Sequence, residues 1–533
     1  MKKDSFLKGA AILGIAGMIV KVMGAFFRIP LGWIIESEGL GYYQVGYPIY
    51  TFLLAFSAAG FPTAISKLVS EKKAKDNHKG AYQVFKVSFI LLLIIGSVSS
   101  IGLALGARYF VDRIIESPNA YYAVLALAPA LFFVSLLAAY RGYFQGMQNM
   151  IPSAISQIVE QFGRVIIGLG LAVVLMKRGV EQAAAGASLG ATIGGISGLL
   201  VMLWIFYTHR RKQLQTPEIT NLGEEDTFGG VVRDLFRISI PITVGASVLP
   251  LISMVDSLIV LRRLQQIGFT YEAANKLFGQ LTGMAVTLIN LPQVLTVALA
   301  ASIVPVIAES VTRGEMDNVQ KDTQSAFRIS LLIGLPAAVG LAVLSGPIMQ
   351  LLYPKEPASV GEILLYLSIA VLFLTQVQTL TGILQGLGKP VIPVRNLMIG
   401  AGVKLITTYI LTGIPALNVK GAALGTVSAY LVASVLNFIA VKKYTETEFD
   451  LYNVFIKPVI SALTMGIVVK LGYMLLTPIA GSRLSTVISI VIGAGVYGLM
   501  LLITKTLTKE DFELLPGGNR LAKILNKVGL MRG

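Results

Sequence analysis

Apolar runs of roughly 20 residues follow one another along almost the whole chain, with short polar connections between them. A helix of that length spans the roughly 30 Å hydrocarbon core of a bilayer. By this measure we count about fourteen runs. Only 14% of the residues are charged, whereas about a quarter are charged in a typical soluble protein. The sequence therefore predicts an all-α polytopic membrane protein.

One stretch occurs twice and indicates an internal duplication. The sequence RGYFQGMQNMIPSAISQIVEQFGR at 141–164 returns in weaker form as TGILQGLGKPVIPVRNLMIGAGVK at 381–404. Each copy ends one apolar run, turns through glycine and proline, and enters the next run. The matched positions are Gly142 with Gly382, Gln145 with Gln385, Gly146 with Gly386 and, after one extra residue, Pro152 with Pro393.

Two further matches follow the same order along the chain. Gly186–Gly190 resembles Gly421–Gly425 at an offset of 235, and Pro62 matches Pro305 at an offset of 243. Three matches in one order predict that helices 1–6 were duplicated as helices 7–12. In a membrane chain, such duplication is typical of a transporter whose site lies between the halves. The predicted fold is two pseudo-symmetric six-helix lobes with two extra C-terminal helices.

The predicted domains follow from the duplication, and the topology follows from the basic residues. With the N-terminus taken as cytoplasmic, about 29 Lys and Arg residues fall on one side and about 10 on the other. This bias predicts two cytoplasmic termini and accounts for most of the net charge of +16 without a nucleic-acid surface. The predicted domains are an N-lobe at 1–210, a cytoplasmic linker at 211–232, a C-lobe at 233–445, helices 13 and 14 at 446–508, and a basic cytoplasmic tail at 509–533. An interfacial helix is predicted in LAKILNKVGL of this tail, and a disordered tail is the alternative.

Several chemistries are excluded by residue types that the chain lacks. Cysteine is absent, and the two histidines, His78 and His209, both lie in polar connections, so neither a thiolate metal site nor a buried histidine relay is expected. No GxxxxGK[ST] motif is present, so the chain has no ATP motor of its own. We therefore expect no cofactor and no metal site. Transport would draw on the membrane potential or an ion gradient, and the role of sodium stays open.

Charges within the first apolar runs are the candidate binding residues of the N-lobe. A charge at mid-bilayer costs roughly 3 kcal/mol or more, so it normally faces a wet cavity or a partner. Lys21 and Arg28 lie seven residues apart, about two helical turns, and so point the same way. At least one of them is predicted to line a cavity. The alternative of snorkelling suits Arg28, which lies near the outer end of the run, but not Lys21, which lies near its middle. Glu160 and Arg164 are four residues apart on the fifth run, where an internal ion pair is the favoured interpretation.

The second half carries a different set of charges. Asp256 lies in the seventh run and Lys404 in the eleventh, and the two are predicted to pair across helices. The alternative is that Asp256 binds a cation. Lys470, in the thirteenth run, is expected to snorkel. Because basic groups exceed acidic ones in the first half, the interior suits an anion such as the phosphate or diphosphate head of an amphiphile.

Three stretches resemble a known family of membrane proteins. They are RGYFQGMQNMIPSAISQIVEQFGRV from Arg141, FPTAISKLVSE from Phe61 and FLKGAAILGIAGMIVKVMGAFFRIPLG from Phe6. They are similar to the SpoVB/YtgP branch of the polysaccharide-transporter family. That family is placed in the MOP exporter superfamily, which also includes the MurJ-type lipid II flippases and the MATE transporters. The resemblance implies a central cavity with alternating access, an undecaprenyl-diphosphate-linked sugar as substrate, and a groove for the lipid tail on the last two helices.

The resemblance also implies roles for particular residues. Lys21 and Arg28 match basic positions that are thought to meet the diphosphate in MurJ-type flippases, with Lys21 standing where arginine is usual. Asp256, Asn396 and Thr426 resemble members of a sodium site found in some relatives. The second carboxylate of that site, expected one turn after Asn396, is replaced by a glycine at 400 and followed by Lys404. An ammonium group is therefore expected to stand in for the ion.

The resulting hypothesis is a flippase for lipid II or a close relative in the bacterial plasma membrane, a monomer expected to meet the cell-wall synthesis machinery. An exporter of another lipid-linked oligosaccharide, such as a capsule or teichuronic-type unit, is the alternative within the same class. A multidrug cation antiporter would need acidic residues in the first lobe. A membrane-embedded glycosyltransferase would need catalytic carboxylates at an aqueous mouth, and we find no such cluster in the sequence. A role in growth or in sporulation is left open.

Overall fold

The computed structural model describes residues 3–214, 224–450 and 452–506, and these residues are almost entirely helical, with none in a strand. Residues 215–223 of the predicted linker and the predicted tail at 509–533, with its interfacial helix, lie outside the described residues. The α-helices of the described part are α1 Lys3–Ala58, α2 Phe61–Ala74, α3 His78–Tyr109, α4 Tyr121–Gly146, α5 Ile151–Leu175, α6 Val180–Leu214, α7 Phe228–Gln266, α8 Tyr271–Gly279, α9 Val286–Ile289, α10 Gln293–Arg313, α11 Met316–Val343, α12 Ser345–Leu352, α13 Ser359–Ser368, α14 Ala370–Gly386, α15 Val391–Thr412, α16 Val419–Thr445 and α17 Lys457–Ile503.

The described helices form twelve candidate membrane spans, and two of these are too long for one crossing. Ile12–Ala74 has 63 residues and Tyr452–Ile503 has 52, which would extend about 95 Å and 78 Å as straight helices against a hydrocarbon core of about 30 Å. Each contains a backbone break, at Glu36 with φ 54° and at Gly481 with φ 73°. Dividing both segments at the break gives fourteen crossings, which confirms the predicted number.

The chain divides into two compact units. The first comprises Met1–Gln265 and Phe269–Gly279, and the second comprises Gln266–Gly268 and Gln280–Gly533. Helices α7 and α8 thus pack with the first unit, whereas the C-lobe predicted from the duplication begins at 233. The lobe boundaries describe a sequence repeat rather than a contact pattern, so they stay a prediction.

An aromatic cluster forms part of the core of the first unit. The ring of Phe85 lies 5.0 Å from that of Tyr140, 5.1 Å from that of Tyr143 and 4.8 Å from that of Phe206. Aromatic pairs at such distances stabilise a fold by about 0.5–1.5 kcal/mol beyond the area that they bury. The cluster connects α3, α4 and α6, and so it holds α4 in place beside the α5 helix that follows it.

The second unit has a comparable aromatic cluster. Phe327 on α11 lies 5.3 Å from Phe438 on α16, and 5.2 Å and 5.5 Å from Phe449 and Phe455 in the segment before α17. Tyr497 on the second half of α17 donates a hydrogen bond to the carbonyl of Leu332 at 3.1 Å. The two extra helices are therefore packed on the second unit through α11.

Close helix contacts at glycines show which residues of the two units are equivalent. A Cβ on Gly186 would lie 2.8 Å from the backbone carbon of Leu171, and a Cβ on Gly421 would overlap the same atom of Leu411. Gly421 on α16 is thus the counterpart of Gly186 on α6, at an offset of 235 in residue number, and Leu411 on α15 is the counterpart of Leu171 on α5, at an offset of 240. The predicted match of Gly186–Gly190 with Gly421–Gly425 is confirmed.

The same contacts correct two of the predicted matches. A Cβ on Gly142 would lie 3.0 Å from the carbonyl oxygen of Pro62, and one on Gly382 would lie 2.9 Å from that of Ala300. Ala300 is therefore the counterpart of Pro62, and the predicted match with Pro305 is wrong by five residues. Helix α5 begins at Ile151 and α15 begins at Val391, so the offset is already 240 at the start of these helices. No extra residue is inserted before them, and the predicted match of Pro152 with Pro393 is therefore also wrong.

The short helix α8 packs against the break in α1. Asn275 donates to the carbonyl of Glu38 at 2.9 Å, and the Lys276 ammonium lies 3.2 Å from the Glu38 carboxylate. A Cβ on Gly279 would overlap the carbonyl oxygen of Ser37. Burial raises the pKa of Tyr271 to about 12, so its hydroxyl stays protonated and shares a 2.8 Å hydrogen bond with the Ser117 hydroxyl. These contacts fix α8 to the first unit.

Candidate functional site

Lys21 and Arg28 lie on α1 before the break at Glu36. Lys21 is exposed and Arg28 is half-buried, and neither has an ion pair or hydrogen bond with another described residue. At Gly14 and Gly17, on the same face, no described atom lies within 4 Å of where a Cβ would be. This face of α1 is therefore open at its glycines, and its two cations have no protein counter-charge among the described residues.

Arg141, Glu160 and Arg164 form a charged triad in the first unit. The Arg141 guanidinium lies 2.9 Å from one carboxylate oxygen of Glu160, and that of Arg164 lies 3.5 Å from the other. Arg141 also donates to the Ser156 hydroxyl at 2.9 Å. The three charged side chains are 14–15% exposed. The predicted ion pair between Glu160 and Arg164 is therefore present, with a second arginine added to it.

A row of aromatic side chains lies beside the triad, and we call Phe27, Tyr43, Tyr47 and Tyr50 the aromatic wall. The ring of Tyr43 is stacked 5.8 Å from that of Tyr47, which lies 6.0 Å from Tyr50, and Phe27 lies edge-on to Tyr43 at 6.2 Å. Arg164 donates to the Tyr47 hydroxyl at 3.4 Å. The Arg164 side chain is thus held between the Glu160 carboxylate and a phenol.

The packing of α1 on α5 brings the two sets of cations to the same wall. A Cβ on Gly24 would lie 3.5 Å from the Gln161 amide nitrogen, and one on Gly168 would lie 3.5 Å from the ring of Phe27. Arg28 and Arg164 both interact electrostatically with Tyr43. Arg28 on α1 and Arg164 on α5 therefore both lie near Tyr43 of the aromatic wall.

The charges of this region do not balance. Arg28, Arg141 and Arg164 are three cations, and Glu160 is the one carboxylate bonded to any of them among the described residues, which leaves a net charge of +2. Lys21, two turns before Arg28 on α1, is a further cation without a bonded carboxylate among these residues. Within a membrane span, uncompensated cations are costly unless an anion or water meets them. The region can therefore hold an anion, and arginine pairs with phosphate oxygens through two parallel hydrogen bonds.

Sequence reasoning missed Arg141 and the aromatic wall as members of this region. Arg141 and Ser156 are equally distant from the turn at 147–150 between α4 and α5, so an antiparallel hairpin places them at the same height. That symmetry about a short turn is the signal that could have identified Arg141. The tyrosines follow the break at Glu36, which no residue pattern predicts.

The residues predicted for the second charge site are divided between the two units. Asp256 lies on α7 in the first unit and is 7% exposed, whereas Asn396, Lys404 and Thr426 lie in the second. Asn396 donates to the Asn437 side-chain oxygen at 2.9 Å, and Thr426 donates to the carbonyl of Ala422 at 3.2 Å. Both side chains thus have partners within their own unit. The pairing of Lys404 with Asp256 stays a prediction.

Gly400, where a carboxylate would complete a sodium site, lies in close contact with α16. A Cβ on Gly400 would overlap the carbonyl oxygen of Ala429. A backbone oxygen cannot move aside as a flexible side chain can, so the position has no room for any side chain. With the offsets of 240 and 235, Gly400 is the counterpart of Glu160, and Lys404 is the counterpart of Arg164.

Comparisons with known proteins agree with this architecture. A family model described as polysaccharide biosynthesis protein matches residues 6–311, and one described as MatE matches residues 281–410. The chain is 28% identical to stage V sporulation protein B of Bacillus subtilis over 98% of this chain and 99% of the relative. It is 27% identical to the lipid II flippase MurJ of the same organism, over 94% of each chain.

Solved structures show the same fold at lower identity. Lipid II flippase MurJ in an inward closed conformation matches with a TM-score of 0.67 and 18% identity, over 92% of this chain and 98% of that chain. An inward-facing multidrug resistance MATE family transporter of the MOP superfamily matches with a TM-score of 0.63 and 14% identity, over 80% and 98%. The chain therefore belongs to the polysaccharide biosynthesis protein family, and it is a multi-pass membrane transporter rather than an enzyme.

Proposed function

We propose that the protein is a flippase that moves lipid II, or a close relative of it, from the inner to the outer leaflet by alternating access. The observation that carries the proposal is the pair of cations on α1, Lys21 and Arg28, which have no ion pair or hydrogen bond among the described residues and lie on an open face within a membrane span. An undecaprenyl-diphosphate-linked precursor supplies the anion that such a face lacks. The relatives named lipid II flippase support this choice of substrate.

The transport cycle that follows needs no bond to be made or broken. Arg28 binds the diphosphate through paired hydrogen bonds, and Lys21 adds a point charge two turns away. The aromatic wall limits water around these cations, and a lower local dielectric strengthens each ionic contact. Release follows when the opposite face opens and water again solvates the diphosphate.

Orientation and driving force are part of the proposal. The excess of basic residues on one side supports cytoplasmic termini, and so a substrate that enters from the inner leaflet. The absence of room at Gly400 supports a transport cycle in which no sodium ion binds with a second carboxylate at that position. The membrane potential then acts on the charge of the bound substrate and its cations.

An exporter of a different lipid-linked oligosaccharide is the second candidate, because any such lipid carries the same diphosphate. The residues described here bind the diphosphate and do not read the sugar. A multidrug cation antiporter is disfavoured by the net positive charge around the aromatic wall.

The test is complementation of a strain depleted of its own lipid II flippase, with lipid II measured separately in each leaflet. The wild-type chain should restore growth and outer-leaflet lipid II, and Arg28→Ala should restore neither at equal expression. Arg178→Ala, which removes an exposed arginine just after α5, is the matched control and should behave as wild type. Growth without outer-leaflet lipid II, or an active Arg28→Ala variant, would overturn the proposal.

A further inference from the structure

We propose that Glu160 is an internal counter-anion, which the substrate's diphosphate displaces from Arg141 and Arg164. This inference rests on the proposed function, because it concerns how the same anion is admitted. It assigns Arg141 to the binding region and gives Glu160 a role opposite to that of a binding residue. Glu160 competes with the ligand for the two arginines.

The geometry of the triad supports an exchange of partners. The two oxygens of Glu160 are divided between two guanidinium groups, at 2.9 Å from Arg141 and 3.5 Å from Arg164. Each arginine therefore receives a single carboxylate contact, although a guanidinium can bind two oxygens in parallel. A diphosphate has enough non-bridging oxygens to engage both arginines in that way.

Two buried polar groups in the same region have no hydrogen-bond partner among the described residues. They are the Nε of Arg164 and the hydroxyl of Tyr50. Buried polar groups in proteins are nearly always hydrogen-bonded, and an unpaired one calls for an explanation such as a ligand. Both groups lie next to the Tyr47 phenol to which Arg164 donates. An anion bonded to Arg164 would supply the missing acceptor.

The triad also extends along the membrane-spanning helix. Ser156, which fixes Arg141, is five residues from the first residue of α5, and Arg164 is thirteen residues from it. At about 1.5 Å per residue these backbone positions lie about 12 Å apart along α5. The two guanidinium groups nevertheless meet at one carboxylate, so an anion that takes the place of Glu160 can contact both arginines at once.

The counter-anion also provides selectivity for a ligand with two phosphate groups. With Glu160 in place the triad carries a net charge of +1, and without it the two arginines carry +2. A ligand must replace a full carboxylate charge before it can take both guanidinium contacts of Glu160. The two phosphate groups of a diphosphate can place a pair of oxygens on each arginine, whereas the single group of a monophosphate cannot pair with both.

The second unit shows the arrangement without a counter-anion. Gly400 is the counterpart of Glu160 and Lys404 is the counterpart of Arg164, so the second unit keeps a cation and lacks the carboxylate one turn before it. A fold that needed this carboxylate for packing would carry it in both units. The carboxylate therefore has a function particular to the first unit.

The test is a binding measurement on the full-length protein in lipid nanodiscs, with farnesyl diphosphate and farnesyl monophosphate as probes. Glu160→Gln should bind farnesyl diphosphate about tenfold more tightly than wild type, since one charged hydrogen bond is no longer broken. Its affinity for the monophosphate should rise by more, so that discrimination between the two probes narrows. Glu181→Gln on α6 is the matched control and should change neither affinity.

Two further variants keep the test decisive if Glu160→Gln does not fold. Glu160→Asp retains the charge but shortens the side chain, and should tighten diphosphate binding by a smaller factor. Arg141→Gln should weaken diphosphate binding and abolish the discrimination that Glu160 provides. A carboxylate that only orients the arginines predicts the reverse sign, with weaker binding in both Glu160 variants.

The outcomes separate this inference from the proposed function. If wild type binds farnesyl diphosphate and Arg28→Ala does not, while Glu160→Gln binds equally or more weakly, the counter-anion is disproved and the flippase proposal stands. If wild type shows no binding that depends on Arg28, the proposed anion site itself is disproved. Tighter binding by Glu160→Gln together with slower export in the complementation assay supports both.

Discussion

The helix pairs α5–α6 and α15–α16 make the same close contact at a glycine, but the glycine lies on the second helix of the first pair and on the first helix of the second pair. In the first unit, Gly194 on α6 lies against the carbonyl oxygen of Glu160. In the second unit, Gly400 on α15 lies against the carbonyl oxygen of Ala429. The two contacts are equivalent under the offsets of 240 and 235. The position of the glycine thus decides whether the first helix of the pair can carry a side chain at this point.

The consequence is a different interior in each unit. The first unit places a charged triad next to the aromatic wall. The described interior of the second unit has neutral hydrogen bonds around the corresponding helices, between Asn396 and Asn437 at 2.9 Å and between Ser434 and Gln376 at 2.8 Å. A duplicated fold has therefore kept its packing while assigning the buried charges of these helices mainly to one unit.

The largest effect, on protein stability, is expected from substitutions at the two charged residues of the predicted second site, Asp256 and Lys404. Asp256→Asn and Lys404→Met should each destabilise the protein by about 3–5 kcal/mol if the two residues form a buried pair, because each change leaves one charge uncompensated. The double variant should be milder than the sum of the two. Thermal unfolding in detergent measures stability, and transport in proteoliposomes with potassium in place of sodium should proceed unchanged. Additive effects, or a sodium requirement, would contradict the pairing.

The next effect concerns the cations of the first unit. Arg28→Ala should slow flipping by roughly 10- to 100-fold, since a charged hydrogen bond contributes about 1.5–3 kcal/mol. Lys21→Arg should be tolerated, whereas Lys21→Glu should be inactive because it places a negative charge before an anionic substrate. Leaflet-resolved lipid II at matched expression is the measurement. A fully active Lys21→Glu variant would show that the first unit is not the anion-binding one.

A third prediction tests the close contact between Gly400 and the α16 backbone. Gly400→Ala should destabilise the second unit by about 1–3 kcal/mol, because its methyl group meets a backbone oxygen that cannot move without separating α15 from α16. Gly402→Ala, where no described atom lies within 4 Å of the Cβ position, should be neutral or stabilising by up to about 1 kcal/mol. Thermal unfolding of the two variants side by side decides this. Equal melting temperatures would mean that the contact is not tight.

The smallest effect is expected at the hydroxyl that fixes Arg141. Ser156→Ala removes the 2.9 Å hydrogen bond and should weaken diphosphate binding by about fivefold, or about 1 kcal/mol. Ser97→Ala on α3, whose hydroxyl bonds only to a carbonyl of its own helix, is the control. If both variants bind as wild type, Arg141 is oriented by Glu160 alone.

Sequence patterns predicted the parts of this molecule that depend on one helix at a time. Run length gave fourteen crossings, and a spacing of four residues placed Glu160 beside Arg164. Features that depend on how helices pack were missed or misplaced. The match of Pro62 with Pro305 rested on residue identity, whereas contact with a glycine makes Ala300 the true counterpart. Identifying Arg141 as a partner of Glu160 required the geometry of the α4–α5 hairpin. Recognising that Gly400 has no room for a side chain required the position of the neighbouring α16 backbone.

The contact at Gly400 also limits which substitutions each half can accept at this place. A Cβ at 400 would meet the carbonyl oxygen of residue 429, and a Cβ at 194 would meet that of residue 160. Every amino acid carries this oxygen, so exchanging Ala429 for glycine would make no room for a side chain at 400. A carboxylate at position 400 would therefore require α15 and α16 to shift against each other, and no substitution at residue 429 alone could introduce it.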